Sequence, residues 1–195
     1  MEPAVDSADG SPGPVTPTVR AIRAIEAVVA IVSKCALGAA ALALTGVFLM
    51  ICYGVAMRYF AGQPQPWVDE SAGWLLVGSV MLAIPEVQRR GDHIGIDFLA
   101  RLLGPAARRA LLVFAILTVL ASALIFVREG IIMVEFSRML NVLSNQIPEV
   151  PLWVVQGFVP IGFGLMALVA AVQLACVLAG LKPRDMSETL KDDVG

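Results

Sequence analysis

The chain has 195 residues, 58% of them hydrophobic and only 15% charged, with a formal net charge of −2. Soluble globular domains carry about 25% charged residues, so the deficit points to a membrane protein. No basic, aromatic-interleaved patch suggests a nucleic-acid partner, and the scattered Cys35, Cys52 and Cys176 with the single His93 supply neither a usual zinc site nor the histidine pairs of a membrane cytochrome.

Residues 1–20 are acidic, rich in Pro, Gly and Ser, and lack the positive region of a secretory signal. They read as a disordered cytoplasmic tail. Residues 22–32 are apolar but interrupted by Arg23 and Glu26, and lead into the first helix. The first span is 35–57, free of formal charge and long enough at 1.5 Å per residue to cross a hydrocarbon core of about 30 Å. Arg58 closes it. A short turn through Gly62, Pro64 and Pro66 leads to the second span, 71–87, and makes the two spans antiparallel neighbours. Trp67 is its interface anchor, and Asp69 and Glu70 occupy the first turn, where negative charge is favoured.

Five arginines follow: Arg89, Arg90, Arg101, Arg108 and Arg109. Between them Ile94, Phe98 and Leu102 recur at helical spacing, and Asp97 and Arg101 form an i, i+4 pair. This predicts a short amphipathic helix, about 93–103, in the membrane surface. The third span is 110–127, continuing as an amphipathic extension to about Asn141. The fourth, 152–181, exceeds one crossing and must tilt, kink or protrude, with the bend expected at Pro160, Gly162 and Gly164. Ala167, Ala171, Ala175 and Ala179 form a small-residue stripe for close contact with another helix. Residues 183–195 are a second cytoplasmic tail. The fold class is therefore an all-α integral membrane protein: a membrane domain over 21–182 with four transmembrane helices, plus the short amphipathic helix on the cytoplasmic side.

Four spans put both termini on one side. Eleven of the fourteen Lys and Arg residues fall on the side of the termini, and three (Arg58, Arg128 and Arg138) on the other, so the positive-inside rule places both termini in the cytoplasm. Residues 35–57, 71–85, 110–127 and 152–181 contain no Asp, Glu, Lys, Arg or His. Proton relays and ion-coupled carriers usually display ionisable groups at depth, or broken helices in their place. No nucleophile–base pair or phosphate loop is present, so no enzyme is expected.

Arg58-Tyr59-Phe60 closes the first span, Pro66-Trp67-Val68-Asp69-Glu70 opens the second, Arg89-Arg90-Gly91-Asp92-His93-Ile94-Gly95-Ile96-Asp97 follows it, and Val159-Pro160-Ile161-Gly162 lies in the last. In this order and spacing the chain resembles the small membrane subunit (DctQ type) of tripartite ATP-independent periplasmic (TRAP) transporters. Asp69 stands where the family often has a first glutamate, which puts more weight on Glu70. Gly95 stands where a polar or basic residue is common.

The resemblance implies a scaffold in the bacterial inner membrane, beside a large membrane subunit that holds the substrate and sodium sites. A soluble periplasmic binding protein would deliver an organic anion, a dicarboxylate or another carboxylate. It implies no cofactor in this subunit. Interface or structural roles fall on Arg58, Trp67, Asp69, Glu70, Arg90, His93, Asp97, Pro160, Ala171 and Ala175, with Arg58 and Glu70 expected to pair across the short turn. The plainer readings are that Arg58 snorkels to headgroups, Glu70 favours a helix start and His93 is a half-wet interface residue. Two other classes stay open: a self-sufficient homo-oligomeric carrier or channel, and a membrane anchor for a redox enzyme.

Overall fold

The computed structural model describes residues 17–90, 105–145 and 149–180. The surface helix expected over 93–103, with His93 and Asp97, lies outside the described residues, as do most of both tails. The elements are α1 (Pro17–Phe60), α2 (Pro66–Arg90), α3 (Pro105–Met139), α4 (Leu152–Gln156) and α5 (Phe158–Leu178). Four stretches are long and apolar enough to cross a membrane: Val19–Phe60, Pro66–Arg90, Ala106–Met139 and Leu152–Leu178. The all-α fold with four such helices agrees with the sequence reading.

α1 has 44 residues. At 1.5 Å per residue it is about 66 Å long, more than twice the hydrocarbon core. Its first residue is its only proline, and an Arg23–Glu26 ion pair at 2.7 Å supports its early turns, so the interrupted stretch 22–32 is simply the start of the first helix. Val29, Ser33, Ala36, Ala40 and Val47 are its buried residues. Steps of three and four along that face keep it turned toward α2. Gly54 prolongs the face, and a Cβ there would stand 3.0 Å from Val68 of α2.

The turn between them is set locally. Gly62 adopts φ 64°, which glycine reaches without steric cost, and the N–H of Gln63 bonds back to the Met57 carbonyl at 3.1 Å. Pro66 begins α2, where its missing N–H costs nothing. The Trp67 indole donates to Gln65 Oε1 at 3.0 Å and lies beside Tyr53.

α2 packs on α1 along one side and on α5 along the other; α5 in turn packs on α3, and α3 does not pack on α2. The helices follow the order α1–α2–α5–α3, and α1 also touches α5 more lightly. The contacts fix their relative heights. Gly54 meets Val68, Gly162 of α5 meets Met81, and Gly130 of α3 meets Pro160. Phe126 and Phe163 stack at 4.5 Å. Ile116, Ala170 and Val177 form a small core between α3 and α5.

The last span divides at Gly157 into α4 and α5, one turn before the position expected from Pro160, Gly162 and Gly164, although Gly157 keeps helical φ −59° and ψ −23° and its N–H bonds to the Trp153 carbonyl at 3.1 Å. Pro160 offers no N–H to the Gln156 carbonyl, so one rung of the helical ladder is missing there. Gly162 and Gly164 are regular positions of α5. Arg138 covers the Trp153 ring at 5.9 Å, and the Ser144 N–H bonds to the Val150 carbonyl at 2.9 Å, closing the α3–α4 turn.

Candidate functional site

The densest polar cluster among the described residues lies at the end of α2. Glu86 is 1% exposed. Arg89 binds it with two donors, Nε and Nη2, at 2.6 Å each, and Arg90 Nε adds a third bond at 3.0 Å. Spacings of three and four on one helix bring both guanidiniums to the same carboxylate. A bidentate arginine is among the stronger charge-assisted contacts available to a buried acid.

The neighbouring residue ties α2 to α5. Gln88 Nε2 donates to Gln173 Oε1 at 3.0 Å. Gln173 Nε2 donates to the carbonyls of Gln88 and Arg89 at 3.1 and 3.2 Å. Those carbonyls lie in the last turn of α2, and in an apolar setting donors from another helix stabilise them. α5 ends in the same way: Arg109 of α3 donates from Nη2 to the Val177 carbonyl at 2.9 Å, placing a cation at a helix C-terminus. Three helices are thus locked at one end by side chains bonded to backbone.

The cluster has the chemistry of a lock. Its acid is held by two arginines, and glutamine amides neither accept nor release protons. Among the described residues, no group of three His, Cys, Asp or Glu could hold a metal ion. Sequence reading missed Glu86, which falls one residue past the stretch 71–85 read as free of charge and inside the span drawn to Val87. The signal was present in its spacing to Arg89 and Arg90; its burial was not.

The residues singled out from sequence are distributed differently. Arg58 reaches Asp69 at 3.5 Å, with both side chains largely exposed. The pairing expected with Glu70 is therefore corrected: successive helical residues point about 100° apart, and Asp69 is the one aimed at the end of α1. Glu70 is half-buried, and its Oε2 has no hydrogen-bond partner. Arg90 belongs to the lock. Pro160 packs on Gly130. Ala171 and Ala175 are exposed while Ala167 is buried, because α5 turns Gly162, Val169, Ala170, Gln173, Cys176 and Val177 inward. Of the stripe, only Ala167 packs within these four helices, and Ala171, Ala175 and Ala179 are exposed.

Residues 47–180 match the family described as tripartite ATP-independent periplasmic transporters, DctQ component, which covers about two thirds of the chain. The chain belongs to the DctQ family. It is a multi-pass membrane protein and the small membrane subunit of a TRAP transporter. DctQ is a transporter-component family, not an enzyme family. The match takes in the α2 lock, Pro160 and Gly162, and leaves out the first thirty residues of α1. No curated protein matches the chain closely.

Proposed function

We propose that this DctQ subunit is the scaffold of a TRAP-type secondary transporter in the bacterial inner membrane, with both termini in the cytoplasm. A large membrane subunit carries the substrate and sodium sites. A soluble periplasmic protein delivers the substrate, an organic anion such as a dicarboxylate or a related carboxylate. This chain contributes no cofactor. One observation supports a scaffold above all: among the described residues, the buried acid Glu86 and the buried base Arg89 are bound to each other. Transport residues must bind and release, whereas these hold α2 in place. The uneven distribution of Lys and Arg supports the orientation.

Coexpression with the large subunit tests the assembly. A tag on this chain should retain the large subunit through mild-detergent purification at near-equal amounts. Recovery of this chain alone, well folded and in homo-oligomers, would oppose the scaffold reading.

A further inference from the structure

The apolar stretches of the four helices do not lie at one height along the row. The middle of 35–57 is Gly46, that of 71–87 is Ser79, that of 152–181 is close to Met166, and that of 110–127 is close to Thr118. Counting from the Gly54–Val68 contact, Gly46 stands level with Leu76, slightly outward of Ser79. Counting from Gly162–Met81, Ser79 stands level with Pro160, short of Met166. Counting from Gly130–Pro160, Thr118 stands level with Val172, beyond Met166. Each step along α1–α2–α5–α3 runs in the same direction. At 1.5 Å per residue the three steps are about 4, 9 and 9 Å. Neighbouring axes in packed helices lie about 9 Å apart.

The charged ends follow the same slope. On one side, Arg58 and Asp69 lie near the tips of α1 and α2, while the exposed Arg128–Glu129 pair of α3 stands level with Gly162 and Met81. On the other side, Arg89 ends α2 while α3 and α5 run on to Arg109 and Val177. Standing upright, the row would either hold Arg128 and Glu129 against lipid at the middle of α2's apolar stretch, or push apolar turns of α1 and α2 into water. A charge at mid-bilayer costs at least about 2.5–3.5 kcal/mol.

We infer that the lipid-contacting belt crosses the row obliquely, so that the helices stand at about 40° to the bilayer normal, the upper end of the usual range. The partner of this surface is the bilayer itself. One tilt carries Arg58, Asp69, Arg128 and Glu129 to one membrane face and Lys34, Arg89 and Arg109 to the other. It also leaves the start of α1 and the end of α3 projecting on opposite sides.

Pairs of exposed residues at equal height test this in the full-length chain in liposomes. Leu49 of α1 is level with Phe136 of α3, and Ile31 of α1 is within one residue of the level of Leu117 of α3, by the same contacts. With Cys35, Cys52 and Cys176 replaced by alanine, nitroxides at Leu49→Cys and Leu117→Cys should be relaxed mainly by oxygen. Nitroxides at Phe136→Cys and Ile31→Cys should be relaxed mainly by a water-soluble nickel complex. Equal depth within both pairs would overturn the inference. Polarised infrared dichroism of the unlabelled protein gives an independent readout: a mean helix tilt near 40° agrees, and one below about 20° contradicts it.

Discussion

Gly162 of α5 lies so close to the carbonyl of Met81 in α2 that a Cβ on the glycine would stand 2.5 Å from the oxygen. The carbonyl is special because Pro85, four residues on, cannot donate to it. A proline in one helix and a glycine in the next thus create a single close crossing. Gly162→Ala should lower the thermal midpoint in detergent, by the roughly 1–3 kcal/mol typical of overpacking. Gly164→Ala meets nothing within 4 Å and should leave the midpoint unchanged or raise it. Equal effects would mean that the crossing is not tight.

The Glu86–Arg89 pair predicts strong non-additivity. Glu86→Leu removes the carboxylate that holds Arg89 with two hydrogen bonds, a loss of about 3–5 kcal/mol by the usual cost of breaking a buried pair. The yield of folded protein should fall sharply. The double change Glu86→Leu/Arg89→Leu removes both charges and should recover much of the yield, since apolar replacement of a buried pair is often neutral. Additive losses in a double-mutant cycle would show that the two residues act separately.

At the other membrane face, Arg58 and Asp69 are exposed and 3.5 Å apart. Such pairs contribute about 0–1 kcal/mol, so Arg58→Ala and Asp69→Ala should each shift the thermal midpoint only slightly. Coupling in a double-mutant cycle should appear between Arg58 and Asp69 and be absent between Arg58 and Glu70. The opposite pattern would restore Glu70 as the partner.

These two clusters show what the sequence carried. Span number, the α1–α2 hairpin and the charged turn were legible because apolar length and arginine position are local properties. The choice between Asp69 and Glu70 was not, because it depends on how α2 is rotated about its axis. Glu86 was hidden for a related reason. Its spacing to Arg89 and Arg90 is visible, but the same spacing on a solvated helix end is ordinary; only α5, supplying Gln173, makes that end an interior. The alanine stripe poses the converse question. Small residues signal that a helix can approach closely, not which neighbour does so, and Ala171 and Ala175 face away from the other three helices.

Orientation is checked by fusions to the C-terminus. With both termini cytoplasmic, an alkaline phosphatase fusion should be inactive and a fluorescent-protein fusion bright. Reversed results would place the arginine-rich end outside.

Reconstitution tests the scaffold most directly. Proteoliposomes holding this chain and the large subunit, supplied with the binding protein and a sodium gradient, should accumulate the organic anion. Proteoliposomes holding this chain alone should show only the leak of empty vesicles. Gradient-driven uptake by this chain alone would contradict the account and make it a carrier in its own right.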